Sequence, residues 1–297
     1  MTTEYSLRAD IVEIGRRVYA RGYTASNDGN ISVRLGADRL LMTPKGVCKG
    51  FMTPDMMCVT DLGGRKLLGE RDPSSEILMH LEVYRQRADV QAVVHAHPPI
   101  ATGFAVAGIP LDRAVLAEVL TTLGSIPIAE YATPSTSELP EAVRKYITAH
   151  DGMLLANHGA LTAGGDLYSA YYKMETIEHF AKISLVARLL GRENLIAREE
   201  VMRLQELRGT YGIKAPAPIC PEPASPSPQI AAPGGAAATC QVVQSPAGSG
   251  TRLVPDLVDG RRRADGDSGA EREIRLTYRE LAALIEDAVQ YVVASST

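Results

Sequence analysis

The first two-thirds of the chain reads as an α/β domain, and a segment of a different kind follows it. Three observations carry this reading. Apolar residues at helical spacing alternate with short apolar β-like runs between Leu7 and Gly191. The 297 residues, 45% of them hydrophobic, hold enough apolar sequence to bury a real core. After Lys214 the composition shifts abruptly to Pro, Ala, Gly and Ser.

The elements follow in order. Leu7, Ile11, Ile14 and Val18 recur at helical spacing, with Gly22 placed to stop the helix. Two β-like runs come next, Asn30 to Leu35 and Leu40 to Thr43. Pro73 then precedes a helical pattern carrying Ile77, Leu81 and Tyr84. The runs Ala92 to His97 and Met153 to Asn157 read as buried strands. Asp166 sits where an N-cap belongs and opens a long helix through Ala170, Met174, Ile177 and Ala181, ending near Gly191.

This predicts a folded domain over residues 1–212. Between Ala215 and Thr251 the only charge is Glu222, and a charged stretch with Arg261, Arg262 and Arg263 follows. Such sequence cannot offset its ordering entropy, so 213–276 reads as a flexible linker. Order is expected again over 277–297, where Thr277 and Glu280 have capping-box spacing. Leu281, Leu284, Ile285, Ala288, Val289, Val292 and Val293 then share one helical face. A helix this short is marginal alone in water and needs a partner surface.

Charge and composition exclude several classes. A net charge of −4 gives no basic face for nucleic acid. No run approaches the roughly 18 apolar residues of a membrane helix. The polar stretch Met1 to Asp10 is not a secretory signal, so a cytoplasmic protein is expected. Cys48, Cys58, Cys220 and Cys240 lack C-x-x-C spacing and read as free thiols.

The chemistry-bearing residues begin with Val93 to Pro98, V-V-H-A-H-P. Side chains two apart on a strand leave on one face, so His95 and His97 can reach one ion. His158, in L-L-A-N-H-G, is a third candidate at another strand end. Three imidazoles with an open fourth position make a catalytic zinc pattern. The alternative is a set of strand-end histidines satisfied by backbone carbonyls. His80, four residues after Glu76, could form a ligand pair with it, but the preferred reading is a helix-face histidine near Tyr84; His150 and His179 read as packing or surface residues.

Asp72-Pro73-Ser74-Ser75-Glu76 opens a predicted helix, whose free N–H groups and two serines suit a phosphate; plain capping is the alternative. Thr43-Pro44-Lys45-Gly46 adds a cation and a backbone donor, and Asn30 a side-chain amide. Glu76, in the expected first turn, is a candidate general acid/base if it lies near a metal.

G-N-I-S-V-R, T-P-K-G, P-S-S-E, H-A-H-P and N-H-G occur in that order between Gly29 and Gly159. Their order and spacing closely resemble the class II aldolase/adducin family, its fuculose-phosphate aldolase branch above all, over roughly Ser6 to Gly212. The resemblance implies a three-layer α/β/α sandwich with a largely antiparallel sheet, assembled as a homotetramer. It implies Zn2+ on His95, His97 and His158, and Glu76 as acid/base. It also implies substrate phosphate on Asn30, Lys45, Gly46, Ser74 and Ser75, with Tyr211 helping to close the site. The expected reaction is cleavage of a ketose 1-phosphate, such as L-fuculose 1-phosphate, to dihydroxyacetone phosphate and an aldehyde such as lactaldehyde. Two positions depart from the family pattern: Lys45 replaces a threonine, and Ala114 replaces the tyrosine that protonates the aldehyde oxygen. An epimerase, dehydratase or decarboxylase of the same superfamily stays open, as does a non-catalytic adducin-like binding module. An aspartate at the position of Glu76 would have marked the epimerases. The linker and terminal helix resemble the encapsulation peptides of bacterial microcompartment enzymes, which implies a shell protein as partner; docking on the enzyme itself is the alternative.

Overall fold

The computed structural model describes residues 3–213. The expected linker (213–276), apart from Ile213, and the expected helix (277–297) lie outside the described residues. Seven α-helices are present among the described residues: α1 (Glu4–Ala20), α2 (Ile77–Gln86), α3 (Pro99–Val106), α4 (Ala117–Thr122), α5 (Glu138–Ile147), α6 (Leu167–Leu189) and α7 (Arg198–Thr210). The strands are β1 (Asn30–Leu35), β2 (Arg39–Met42), β3 (Cys58–Asp61), β4 (Lys66–Leu68), β5 (Ala92–Ala96), β6 (Ile128–Ala129), β7 (Gly152–Leu155) and β8 (Gly159–Gly164). They form one mixed sheet of order β4-β3-β2-β1-β5-β8-β7-β6, in which only the β6–β7 pair is parallel.

Alternation along the strands divides the core in two. Ile31, Val94, Ala96 and Leu154 pack with α1, α3, α4 and α6. Val93, Met153, Leu155 and Leu161 pack with α2 and α5. Helices therefore cover both faces of the sheet, and the central strands are buried on both sides. The long helices begin as their side chains dictate: Thr3 accepts from Ser6 N–H at α1, and Asp166 accepts from Ser169 N–H at 2.8 Å at α6. Among the described residues, no helix is long and apolar enough to cross a membrane. Cys48 and Cys58 are free thiols, as expected.

Some expected boundaries move. His97 has left β5: its N–H donates to the Tyr23 carbonyl at 2.8 Å rather than to a ladder partner. The run ending at Asn157 stops at Leu155, because the chain turns there to make β8. Glu76 is the N-cap of α2, not part of its first turn, and Ser74 and Ser75 precede the helix. The reason is a tie to the loop after β2. Pro73 pairs with Pro44, and Ser74 N–H donates to the Thr43 carbonyl at 3.2 Å. The chain leaves this pairing through a turn at Ser75 and Glu76, closed by Ile77 N–H on the Ser74 carbonyl at 3.1 Å, before the helix begins.

The α6–sheet contact is dry and complete: Met174 and Ile177 are 0% exposed. Met174→Ala should therefore cost about 2–5 kcal/mol, read as a lower urea midpoint with an unchanged slope. An unchanged midpoint would show that α6 does not anchor this side of the sheet.

Candidate metal and acid/base site

Register brings the site together. Asn30 on β1 lies opposite His95 on β5, and His95 lies opposite Leu161 on β8. The tight β7–β8 turn adds His158 at the same end of the sheet. Asn157 in that turn has φ +56°, a left-handed conformation that asparagine tolerates better than most residues. Gly159 follows because a Cβ there would sit 2.6 Å from the Ala96 carbonyl oxygen. Gly29 is constrained likewise: φ is +72°, and a Cβ would meet the His95 carbonyl oxygen at 2.8 Å.

The three histidines cluster. Their ring centroids are 4.7–5.1 Å apart, and one nitrogen from each lies within 4.8 Å of the others. His95 Nδ1 is 2.9 Å from the Ala160 carbonyl, so Nδ1 carries the proton and Nε2 keeps its lone pair. That free Nε2 lies 3.2 Å from His97 Nε2. His158 Nδ1 is buried and has no hydrogen-bond partner among the described residues. Burial lowers the pKa values of His95 and His97, keeping them neutral, the form a metal needs. His95 Nε2 and His158 Nε2 both face Glu76, with His97 Nε2 beside them, a grouping of ring nitrogens that suits a divalent ion. The His95 side chain is sealed at 0% exposure while that of His97 is 26% exposed, so solvent reaches the cluster from the His97 side.

Glu76 completes the group. Its Oε1 lies 3.1 Å from His158 Nε2, and its Oε2 lies 3.4 Å from His95 Nε2. Asn30 Nδ2 donates to Oε2 at 2.7 Å, which leaves one amide proton for an anion. Burial pushes the Glu76 carboxyl up, but the pull of the His95 ring whenever it carries charge, with the hydrogen bonds from His158 and Asn30, holds it well below the usual range.

Four of the expected anion residues, Lys45, Gly46, Ser74 and Ser75, lie on two segments whose backbones pair just ahead of Glu76. Lys45 and Gly46 are exposed on the loop after β2, and Lys45 N–H donates to the Asp72 carbonyl at 2.9 Å. Ser75 is exposed, whereas Ser74 is buried, with its hydroxyl oxygen accepting from Glu76 N–H at 3.3 Å. Tyr211 is not brought in. It is 65% exposed just past α7, and among the described residues no hydrogen bond, ion pair or ring contact joins it to the histidines or Glu76. Ala114 has a methyl side chain and no proton to give.

Three contributors escaped sequence reasoning. Asp28 Oδ2 lies 3.5 Å from His97 Nδ1, an outer carboxylate behind one of the clustered histidines. Lys49 is 2% exposed, and its Nζ donates to the carbonyls of Asn27 (3.0 Å) and Val47 (2.7 Å), joining the loops before β1 and after β2. Burial pulls its pKa down to about 8 against the pull of nearby acids. His80 is fully buried and hydrogen-bonded at both nitrogens, not a simple helix-face residue. In sequence Asp28 and Lys49 are ordinary residues without a motif partner, and only D-G-N, with an acid two residues ahead of Asn30, hints at the first. His80 shows its spacing from Glu76 and Tyr84, but nothing in sequence ties it to Asn30 and Ser32 on β1. A separate groove of about 830 Å³ against α6, lined by Arg21, Glu175, Glu178 and His179 among others, contains none of these residues.

Comparison with known proteins agrees with the geometry. Residues 9–185 match the family described as Class II Aldolase and Adducin N-terminal domain. An L-fuculose phosphate aldolase of Methanococcus maripaludis is 33% identical over 177 residues, which is 60% of this chain and 95% of that protein. A 3-oxo-tetronate 4-phosphate decarboxylase of Pectobacterium atrosepticum is 30% identical over 190 residues, covering 63% and 87%. A solved L-fuculose 1-phosphate aldolase superimposes with a TM-score of 0.63 at 32% identity, covering 67% of this chain and 94% of the other.

If Asp28 orients His97, Asp28→Asn should weaken zinc binding by about 10-fold or more, while His158→Ala should abolish it. Competition against a chromophoric chelator measures both. Equal affinity in all three proteins would remove the metal reading.

Proposed function

The chain belongs to the class II aldolase and adducin family, and from that premise we propose that it is a zinc-dependent lyase acting on a ketose 1-phosphate. The preferred substrate is L-fuculose 1-phosphate or a related 6-deoxyketose phosphate, giving dihydroxyacetone phosphate and lactaldehyde. The observation that supports this best is Glu76 lying 3.1–3.4 Å from two of three clustered imidazoles. His95, His97 and His158 would hold zinc, whose Lewis acidity, when bound, stabilises negative charge on substrate oxygen.

The chain's own residues account for the rest. Asn30, Lys45, Gly46, Ser74 and Ser75 bind the phosphate, fixing the ketose so that its C3–C4 bond lies within reach of Glu76. As the C3–C4 bond breaks, the C4 hydroxyl proton passes to the ionised Glu76 carboxylate, and the bond's electron pair becomes the enediolate of C2 and C3. Glu76, protonated in that step, then delivers the proton to C3, and in condensation the carboxylate removes it again. Asn30 keeps the carboxylate turned toward the site. Tyr211, exposed on one chain, would close a site shared between the subunits of a homotetramer. It also offers a hydroxyl for the aldehyde side, where Ala114 offers none.

A second reading is favoured by the similarity to the decarboxylase. In 3-oxo-tetronate 4-phosphate the carbon lost is a carboxyl next to the hydroxyl-bearing carbon, and losing CO2 leaves the same enediolate. The same Glu76 proton transfer serves both reactions. The terminal segment 277–297 is retained as a proposed shell-targeting helix. Its deletion should leave the enzyme outside co-expressed microcompartment shells, and unchanged packaging would remove the idea.

The activity test couples dihydroxyacetone phosphate to NADH oxidation with either substrate. L-fuculose 1-phosphate should turn over, chelator should stop it, and Glu76→Gln should lose about 10²–10⁴-fold in kcat with zinc retained. Turnover of 3-oxo-tetronate 4-phosphate alone would shift the reaction to decarboxylation. Turnover that survives Glu76→Gln would remove Glu76 as the acid/base.

A further inference from the structure

A line of hydrogen bonds runs behind Glu76 into the core between the sheet and α2. Glu76 Oε2 takes the Asn30 amide at 2.7 Å. Asn30 Oδ1 lies 2.5 Å from His80 Nε2, and His80 Nδ1 lies 2.7 Å from Ser32 Oγ. Tyr84 Oη ends the line, 2.9 Å from Ser32 Oγ and 3.0 Å from the Ser32 carbonyl. Asn30 and Ser32 share one face of β1, while His80 and Tyr84 are four apart on α2, so strand and helix periods place the four side chains together. His80 and Ser32 are 0% exposed, Asn30 is 3% and Tyr84 is 4%.

The donors can be assigned from chemistry. A carboxylate only accepts, so the Asn30 NH2 faces Glu76 and its carbonyl oxygen faces His80. That oxygen also only accepts, so His80 carries its proton on Nε2. A neutral ring then accepts at Nδ1, and the Ser32 hydroxyl donates to it. Tyr84 shares its single proton between the two Ser32 oxygens. Every donor points toward Glu76. Burial pushes His80 down to about 4, against the opposing pull of Glu76, so the ring is neutral near pH 7 as this order requires. The line ends at a buried tyrosine and does not reach bulk water, so it is not a route for protons. Its effect is positional.

We propose that His80 is the positioning residue for Glu76: its Nε2–H fixes which way round the Asn30 amide sits, and thereby aims the acid/base carboxylate. Without that donor the amide loses its reason to present NH2 to the carboxylate, and a flip would set oxygen against oxygen there. The Glu76 carboxylate would swing away from the substrate carbon, and a misplacement of about 1 Å can cost on the order of 100-fold in rate. Of the expected anion residues only Asn30 belongs to this line; Lys45, Gly46, Ser74 and Ser75 do not, so most of the substrate binding is independent of it. The inference rests on Glu76 being the acid/base, as proposed above.

The test uses full-length, zinc-loaded protein with three readouts: kcat and KM, zinc per chain, and the His80 ring nitrogens by 15N NMR. His80→Phe keeps a ring of similar size and removes both nitrogens; it should lower kcat about 30–100-fold with KM nearly unchanged and zinc retained. His80→Gln restores a donor at the Nε2 position and should recover most of that loss. In the parent protein the NMR shifts should report the Nε2–H tautomer. Unchanged kcat in His80→Phe would overturn the inference, as would an Nδ1–H tautomer. Loss of zinc in His80→Phe with no recovery in His80→Gln would assign His80 a purely structural role and also overturn it. A parent protein inactive on both substrates would sink the functional reading instead, and the tautomer measurement, which needs no substrate, would still judge the hydrogen-bond line.

Discussion

The site depends on one strand register. Placing Asn30 opposite His95 puts a side-chain amide and an imidazole side by side on the same face of the sheet. A slip of β1 by one residue would turn Asn30 into the opposite core, with Ile31 and Val94. Burial on both faces makes that slip costly, because polar groups would enter a dry cluster while apolar ones took their place. The same pairing explains why Gly29 precedes Asn30, since the chain passes too close to the His95 carbonyl for a side chain.

Helix α2 completes what the sheet begins. Its N-cap Glu76 faces His95 and His158 across the gap, and one turn further His80 closes the hydrogen-bond line to Asn30. The helix also carries Met79, Leu81 and Val83 into the second core. Its seating is therefore fixed by apolar burial, and the carboxylate inherits that rigidity. An exposed loop could bring the same residues near one another but could not hold them to the same precision. The loop after β2 is tied in by Lys49 and by the Pro44–Pro73 pairing, so the expected anion residues share this frame.

Much of this was legible in the sequence. The His95/His97 pair follows from strand period, and His158 from its place after an apolar run. Helix α6 and its N-cap were marked by Asp166 and by the spacing of Ala170, Met174 and Ile177. Other features left weak signals. Strand β8, G-A-L-T-A-G, is built of small residues that fit beneath α6, where Gly164 packs against Ala170 backbone, and small residues carry little strand propensity. The start of α2 was misjudged because Ser74 and Ser75 look like a cap, whereas pairing to the Thr43 loop overrides that local preference. The roles of Asp28, Lys49 and His80 come from contacts between segments far apart in sequence, which no local pattern encodes.

The central claim is that Glu76 moves a proton at the carbon next to a carbonyl while the histidines hold a metal beside it. Proton exchange into dihydroxyacetone phosphate in D2O tests this without needing the aldehyde or the carboxyl that is lost. The account predicts that the zinc-loaded protein exchanges one of the two hydrogens on the hydroxyl-bearing carbon, seen by NMR. That exchange should stop with chelator and in Glu76→Gln. No exchange by the zinc-loaded protein, or exchange unchanged by the substitution, would contradict it.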